Sequence, residues 1–189
     1  LARSDAREKD AYALARILTP MIKFRACRDA RKVTGDAMEV RGGCGYIEEW
    51  SDPRLLRDAH LGSIWEGTSN IVALDVIRAI KREGSLPVLQ QYLHGLLDDA
   101  QLAPAYRAAL AGALHNASQL AERVAANSEE RLARQAASGL YHCTSAIAMA
   151  WEAKKTGSEE RLRLSQLALL HRVLPHDPLI EAVVPADWQ

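Results

Sequence analysis

Apolar residues recur at helical spacing through the second half of the chain. From Leu132 to Trp151 they step by four, four, three, four and four residues, which places their side chains on one face of an α-helix. No segment of useful length alternates apolar and polar residues as a half-buried β-strand does. Aromatic residues make up only 5% of the chain, and abundant alanine and leucine favour helices over sheets. The sequence therefore predicts an all-α fold.

Helix start and stop signals divide the chain into a first part, residues 1–84, and a helical tail, residues 85–189. In the first part the pattern predicts a helix over residues 4–18 and a break after it. The break falls at Thr19-Pro20, because a capping threonine followed by proline is a typical start for a new helix.

The last helix of the first part is predicted to start at Thr68 or Ser69 and to run to Glu83. Gly84 is its stop signal. The tail is predicted to hold four further helices, because capping residues and prolines recur along it. They are expected to begin at Ser85, Pro104, Asn127 or Ser128, and Glu159.

Residues 41–65 are the least periodic part of the chain. Residues 42–46 include three glycines in four positions, so the sequence predicts a loop there. A short helix of one or two turns is predicted over residues 54–60. A connection of this length in a compact helical domain is usually functional.

Charge and cysteine content exclude several classes of protein. Lys and Arg number 24, as do Asp and Glu, which excludes a uniformly basic protein that coats nucleic acid. The three cysteines form no Cys-x-x-Cys pair and the six histidines are scattered, so neither a disulfide framework nor a metal site is expected. No apolar run approaches the roughly 20 residues of a membrane span, and no signal peptide is evident. A cytoplasmic protein is therefore expected.

Most of the positive charge lies near the start of the chain. Residues 1–34 hold nine Lys or Arg and four Asp or Glu. Four of these cations, Arg25, Arg28, Arg31 and Lys32, fall on one side of the helix predicted there. We call them the basic stripe. It is either a solvated face or a face that contacts phosphate groups, and the residues alone leave both interpretations open.

A carboxylate stands just before a helix start in the segment SIWEGTSN, residues 63–70. Ile64 and Trp65 flank Glu66 and predict an apolar environment, which would raise its pKa into the range of a general base near neutrality. Gly67 would let a ligand approach the backbone, and the helix start after it is a place where anions bind. The same segment could equally be a helix cap with an exposed glutamate.

Three stretches resemble, in order and spacing, the C-terminal signature of the acyl-CoA dehydrogenase family. They are AMEVRGGCGY (residues 37–46), RLLRDA (residues 54–59) and SIWEGTSNI (residues 63–71). Members are flavoproteins with an N-terminal helical domain, a middle β-domain and a C-terminal four-helix domain. The resemblance is to the last part alone and implies a C-terminal four-helix-bundle region followed by an added helical tail. Because Leu1 is not a methionine, the chain is also expected to be a piece of a larger protein.

The resemblance implies roles for individual residues near the helix start. Glu66 takes the place of the catalytic base, which removes the α-proton of an acyl-CoA thioester while a hydride passes from the β-carbon to FAD. Gly67 would lie against the substrate. Thr68 and Asn70 match positions that touch FAD after the base.

The glycine-rich stretch is implied to meet a second FAD. Gly42 and Gly43 match the loop that contacts the FAD of a neighbouring subunit, and Glu39 precedes it where many members have glutamine. A carboxylate there would repel a pyrophosphate unless Arg41 compensates. The arrangement makes the family oligomeric, so a homo-oligomer (dimer or tetramer) is expected. The family usually passes its electrons to an electron-transferring flavoprotein.

The tail resembles that of an extended branch of the family. A typical member ends soon after the helix that follows the base, whereas here more than half of the chain follows Glu66. This length resembles the adaptive-response (alkylation-response) flavoproteins, some of which bind DNA and carry such a tail. Here residues 85–189 hold nine Lys or Arg and eleven Asp or Glu, which weakens a DNA-binding role.

Three functions therefore compete at the level of sequence. The first is FAD-dependent α,β-dehydrogenation of an acyl-CoA with Glu66 as general base. The second is a DNA-associated flavoprotein of the alkylation-response kind that uses the basic stripe. The third is a helical oligomerisation module, in which the apolar residues from Leu132 to Trp151 face another subunit rather than their own core.

Overall fold

The computed structural model describes the backbone of residues 2–188 and the side chains of residue 5 and residues 7–188. Residues 1 and 189, at the ends of the two predicted parts, lie outside this range. The described chain is all-α, as the sequence predicts, and it contains no β-strand. Its helices are α1 (Ala2–Val40), α2 (Gly43–Tyr46), α3 (Asp52–Gly62), α4 (Ser69–Glu83), α5 (Ser85–Asp99), α6 (Pro104–Asn127), α7 (Ala133–Thr156) and α8 (Glu159–Arg172). None of these described helices is both long enough and apolar enough to cross a membrane.

Helix α1 continues through Pro20, so the predicted break at Thr19-Pro20 is wrong. A proline inside a helix removes one backbone hydrogen bond and costs about 3 kcal/mol. Burial offsets this cost, because Ile17, Met21 and Phe24 lie around Pro20 and are at most 2% exposed. Each such side chain contributes about 1.5–3 kcal/mol when it is fully buried. Packing therefore outweighs the local signal.

The glycine-rich stretch contains one turn of helix, α2, instead of the predicted loop. Gly42, with φ 59°, ends the preceding helix and reverses the chain. Gly45 makes the close approach: a Cβ there would lie 2.2 Å from the carbonyl oxygen of Met38. Helix α2 can close onto α1 because Gly45 has no side chain. The glycines thus permit a sharp reversal followed by a helical turn that propensity alone disfavours.

One hydrophobic core joins the two predicted parts of the chain. It combines α1 and α4 with α5, α6, α7 and α8, and Trp188 of the last described turn also belongs to it. Helix α7 packs against α1, α4, α5, α6 and α8. The division of the chain at residue 84 stays a prediction about its organisation.

The apolar stripe of α7 faces this core. Ala136, Leu140, Cys143 and Ile147 are at most 1% exposed. An interface with another subunit would need these side chains at the surface, so the stripe does not provide one. The oligomerisation hypothesis loses the surface on which it was based.

The four tail helices occur as predicted, with one difference in their boundaries. Asn127 ends α6 instead of opening the next helix, because Ser128 adopts the left-handed conformation with φ 54°. Helix α7 begins only at Ala133, after a 3₁₀ turn. Gly84, with φ 60°, ends α4 as its stop signal predicts.

Residues 25–71 lie on the outside of the bundle. We call them the middle layer because they stand in the chain between the core residues of α1 and those of α4. It is described throughout, and its buried residues are Gly45, Asp52, Pro53 and Ser63. Helix α3 packs along α1, and α2 touches both. The turn that carries Glu66 follows α3 and therefore lies at the surface of the fold.

Candidate active site

Glu66 lies in the turn between α3 and α4. It has φ 54°, in the left-handed region that residues with a side chain rarely adopt, and Gly67 follows with φ 111°. Such strain costs of order 1–3 kcal/mol and persists where the surrounding structure enforces it. The backbone N–H of Trp65 donates to the carbonyl of Leu61 at 3.1 Å, which fixes the entry to the turn. The backbone therefore changes direction at Glu66.

Lys23 of α1 holds this turn in place. Its Nζ donates to Oε2 of Glu66 at 3.1 Å and to the carbonyl oxygens of Trp65 and Glu66 at 3.3 Å each. The ammonium group therefore fixes Glu66 through both its side chain and its backbone. Sequence reasoning missed Lys23, because a contact across 43 residues leaves no local spacing pattern.

A cavity of about 430 Å³ opens beside Glu66, between α1 and α4. This volume lies in the range of small-ligand sites. It is lined by Tyr12, Ala15, Arg16, Thr19, Pro20, Lys23, Glu66, Ile71, Val72, Asp75 and Arg78. The lining thus offers apolar surface together with charges of both signs.

Arg16 links α1 to α4, the two helices that form the walls of this cavity. Its guanidinium donates to the Asp75 carboxylate at 2.7 Å and 3.0 Å, and to Glu83 at 3.0 Å. The hydrogen bond with Asp75 is the main cause that raises the pKa of Arg16 above its ordinary value. A bidentate pair fixes direction as well as distance, so α1 and α4 are held in one relative position.

The predicted apolar enclosure of Glu66 is wrong for this chain. The side chain of Glu66 is 69% exposed, and Ile64 and Trp65 are 63% and 58% exposed. The turn lies on the outside of the bundle, where no part of the described chain covers these apolar neighbours. The environment of the carboxylate is an ion pair with Lys23 at the rim of a cavity.

The start of α4 offers uncommitted hydrogen-bonding groups. Thr68 is the N-cap residue, but its side chain makes no capping hydrogen bond. Thr68 and Asn70 are both exposed. The first N–H groups of a helix have no partner within it and favour anionic or polar ligands. These groups stand next to Gly67 and Glu66 in the chain.

Residues 39–43, which we call the glycine turn, form a surface separate from the cavity at Glu66. Glu39 lies near the C-terminal end of α1, about 24 Å along the helix axis from Lys23 at 1.5 Å per residue. Glu39, Gly42 and Gly43 are exposed, and a Cβ on either glycine would meet no atom within 4 Å. The structure therefore divides the predicted site residues between two places.

Arg41 contacts Asp52 and Trp50 instead of Glu39. Its Nε lies 3.4 Å from Oδ2 of Asp52, and its guanidinium lies 5.1 Å from the ring centroid of Trp50. Arg41 thus contacts the start of α3, and its compensation of Glu39 toward a pyrophosphate stays a prediction.

Less than half of the chain matches a known family. Residues 1–81 match the family model described as acyl-CoA dehydrogenase, C-terminal domain. This match agrees with the all-α fold and with the position of the three sequence stretches. The predicted resemblance to the C-terminal region of this family is thereby confirmed.

Similar proteins share this region at moderate identity. AidB of Escherichia coli (strain K12) is 43% identical over 88 residues, which are 46% of this chain and 16% of AidB. Acyl-CoA dehydrogenase family member 11 of Caenorhabditis elegans is 43% identical over 65 residues, 34% of this chain and 10% of that protein. Cyclohexane-1-carbonyl-CoA dehydrogenase of Geobacter metallireducens is 38% identical over 68 residues, 36% of this chain and 18% of that enzyme. The matched region thus spans less than a fifth of each relative.

Solved structures extend the likeness beyond residue 81. Caenorhabditis elegans ACDH-11, in complex with C11-CoA, matches with a TM-score of 0.77 over 85% of this chain and 29% of its own, at 24% identity. The apo form of Bd2924 matches with a TM-score of 0.62 over 76% of this chain and 26% of its own, at 29% identity. A match over this much of the chain must include tail helices, so the tail is part of a known fold.

Proposed function

We propose that this chain supplies the proton-abstracting part of an FAD-dependent acyl-CoA dehydrogenase, with Glu66 as general base. The observation that carries the proposal is the position of this carboxylate, at the rim of a 430 Å³ cavity and directly before the start of α4. The match of residues 1–81 to the family model supports an acyl-CoA thioester as substrate. The complex of ACDH-11 with C11-CoA supports the same substrate class.

The residues around the cavity have distinct tasks in this reaction. Lys23 holds the Glu66 carboxylate and its backbone together, so a proton acceptor stays at the cavity rim. When Glu66 takes the α-proton, Lys23 keeps its two carbonyl acceptors and the turn remains fixed. We assign Gly67 to the thioester, since a Cβ there would lie 3.3 Å from Ile71, which lines the cavity. General-base catalysis of this kind contributes roughly 10²–10⁴-fold to the rate.

The uncommitted groups fit the cofactor that the family uses. FAD, when bound, accepts the hydride that leaves the β-carbon, so the protein must position and deprotonate the substrate. We assign Thr68 and Asn70 to FAD because their polar side chains are exposed and uncommitted beside Glu66. The free N–H groups at the start of α4 suit the polar edge of a ring system.

The glycine turn is assigned to a second FAD. Gly42 and Gly43 present open backbone, and Glu39 belongs to the same surface. Because this surface is distant from Glu66, a second FAD belongs to a second subunit. We therefore propose a homo-oligomer, dimer or tetramer, with an electron-transferring flavoprotein as acceptor of the electrons. Light scattering with and without FAD tests the assembly, and a monomer under both conditions would contradict it.

The role of Glu66 is tested by Glu66→Gln in the full-length protein. This change keeps the size of the side chain and removes the proton acceptor. We expect kcat for an acyl-CoA to fall by about 10²–10⁴-fold, with the bound flavin unchanged in absorbance. Dye reduction with a panel of acyl-CoAs measures the rate. An unchanged rate for every substrate would reject Glu66 as the base.

Two further variants make the test specific. Glu49→Gln removes an exposed carboxylate of the middle layer that does not line the cavity, and it should leave both rate and flavin content unchanged. Lys23→Met keeps an unbranched side chain that is one atom shorter, and it removes three contacts to the turn. We expect it to lower kcat less than Glu66→Gln does, because the base is still present but less well positioned.

A further inference from the structure

A groove of about 760 Å³ lies between α1, α7 and α8. It shares no lining residue with the cavity at Glu66, and no residue of the basic stripe lines it. Its volume falls in the range of sites that hold small organic molecules. The groove is therefore a second place, formed mostly by the tail, where a ligand has room to bind.

Apolar side chains of α7 and α8 line this groove. Met149 of α7 and Leu164 and Leu167 of α8 contribute to it. Leu164 is 41% exposed, whereas Leu169 of the same helix is 0% exposed and belongs to the core. Apolar surface is stabilised when an apolar partner removes it from water. The groove thus suits a ligand with an apolar body.

The charged residues give the groove an excess of positive charge. Asp29 lines it, but Arg25 of α1 neutralises this carboxylate by donating to its Oδ1 at 2.5 Å. Arg172 of α8 also lines the groove and is exposed. Among the side chains that the structure describes, Arg172 forms no ion pair. A guanidinium without a carboxylate partner therefore stands beside apolar surface.

Two histidines accompany Arg172 in the lining. The ring centroids of His171 and His176 lie 5.9 Å apart, with an interplanar angle of 84°, so the segment after α8 packs on the last turn of that helix. Both rings line the groove, and each carries an N–H that can donate to an oxygen. In the described part of the chain no group of His, Cys, Asp or Glu is arranged to hold a metal ion. These rings thus offer hydrogen-bond donors beside a cation.

We propose that this groove binds a small organic acid, whose carboxylate pairs with Arg172 and whose apolar body lies along Met149 and Leu164. A guanidinium presents two parallel N–H donors that match the two oxygens of a carboxylate. His171 and His176 can donate to the same group. The apolar body covers side chains that are otherwise in contact with water. Charge and apolar surface therefore select the two ends of one molecule.

Isothermal titration of the chain with octanoate tests the proposal. We expect saturable binding, and a weaker affinity for 1-octanol, which lacks the charge, and for acetate, which lacks the apolar body. Arg172→Gln should bind octanoate at least about tenfold more weakly, because a hydrogen bond to a charged group contributes that much or more. Arg163→Gln is the matched control: it removes an exposed arginine of the same helix that does not line the groove, and it should bind like the wild type.

A second control separates the groove from the cavity at Glu66. Lys23 lines that cavity and not the groove, so Lys23→Met should keep the affinity for octanoate. If Lys23→Met lost binding while Arg172→Gln retained it, octanoate would occupy the cavity and the proposal would be wrong. Absence of saturable binding, an equal loss in Arg163→Gln, or acetate binding as tightly as octanoate would also overturn it.

Methionine methyl groups report the position of the ligand in the unsubstituted chain. The chain has three methionines, Met21, Met38 and Met149. Met149 lines the groove, Met21 is buried in the core, and Met38 belongs to the middle layer. In a chain labelled with ¹³C at these methyl groups, octanoate should shift the NMR signal of Met149, which Met149→Leu identifies, and leave that of Met38 in place. Binding that leaves the Met149 signal unmoved would exclude the groove as the site.

Discussion

The tail and the middle layer of this chain differ in how many apolar side chains they bury. In the tail, α6 and α7 contain fully buried side chains such as Leu110, Leu140 and Ile147. In residues 25–71 no alanine, cysteine, methionine, branched aliphatic or aromatic side chain is buried. Of the seventeen exposed large apolar side chains in the described chain, ten lie in this layer. Extended apolar surface of this kind is typical of ligand and interaction sites.

This difference suggests that the tail supplies stability and that the middle layer supplies the chemistry. Packing around α7 holds α1 and α4 in position, and these helices form the walls of the cavity at Glu66. The turn that carries Glu66 is attached to α1 by Lys23 and contributes little buried area. Substitutions in the tail should therefore lower the free energy of unfolding, and substitutions in the middle layer should change activity at nearly constant stability.

The largest effect is expected for a truncation in the tail core. Leu140 is 0% exposed, and Leu140→Ala should cost about 3–4 kcal/mol, since it removes buried methyl groups and leaves a cavity. This corresponds to a Tm lower by about 10 °C for a chain of this size. Leu55→Ala is the matched change in the middle layer, where Leu55 is 52% exposed, and it should cost less than about 1 kcal/mol. Thermal unfolding measures both, and equal losses would remove the distinction between the regions.

A buried hydroxyl pair gives the next effect. Tyr106 and Ser165 share a hydrogen bond of 2.5 Å, and Ser165 donates to the carbonyl of Ala146 at 2.5 Å. Burial raises the pKa of Tyr106 to about 12. Ser165→Ala leaves the buried phenol without its partner, which costs about 1–3 kcal/mol.

The control for this pair lies in the middle layer. The Ser63 hydroxyl donates to the carbonyl of His60 at 3.0 Å, within its own turn. Ser63→Ala should cost about 0.5 kcal/mol, because the carbonyl of His60 still accepts a hydrogen bond from the backbone N–H of residue 63 at 3.1 Å. Urea unfolding compares the two variants. A larger loss of unfolding free energy for Ser63→Ala than for Ser165→Ala would show that the middle layer contributes more to stability than expected.

Local signals predict those parts of the fold that depend on neighbours in sequence. Gly84 ends α4 and Pro104 begins α6 as expected. Ser158 caps α8 by accepting a hydrogen bond from the N–H of Arg161 at 3.2 Å. The break at Pro20 fails because burial of residues distant in sequence decides it.

The candidate site shows the same limit. The motif around Glu66 locates the carboxylate, because the order of residue types is itself the signal. The ion pair with Lys23, the exposure of Trp65 and the cavity between α1 and α4 depend on how two helices pack, and no spacing along the chain encodes them. Sequence thus predicts the candidate base but not its environment.

Acid should weaken the tail through His142 of α7. Burial, and then the nearby charge of Arg25, lower the pKa of His142 from 6.5 to about 4. Between these two values the unfolded chain binds a proton that the folded chain does not, so stability falls as pH falls through this window. After a discount for the partial exposure of the ring, we expect a loss of about 1–2 kcal/mol.

Urea unfolding at pH 7 and pH 5 measures this loss. His142→Gln should retain more of its stability on acidification than the wild type, because glutamine does not titrate. His60→Gln changes an exposed histidine of α3 and should behave like the wild type. An identical acid response in all three proteins would show that His142 does not contribute.

The smallest effect on stability comes from two left-handed residues, one in each region. Glu66 and Ser128 both have φ 54°. Glycine relieves roughly 1–2 kcal/mol of left-handed strain but loses about 0.5–1 kcal/mol through the greater freedom of the unfolded chain. Each residue also gives up one exposed side-chain contact, with Lys23 for Glu66 and with Lys81 for Ser128. Glu66→Gly and Ser128→Gly should therefore both unfold within about 0.5 kcal/mol of the wild type.

Activity should separate these two variants completely. Ser128→Gly should retain the rate of the wild type, and Glu66→Gly should lose it, because Glu66 is the proposed base at the cavity whereas Ser128 only ends a helix. Chemical unfolding and acyl-CoA turnover, measured on the same preparations, compare the two quantities. A loss of more than about 2 kcal/mol in Glu66→Gly would mean that the turn supports the fold, and the separation of stability from chemistry would then fail at the residue on which it depends most.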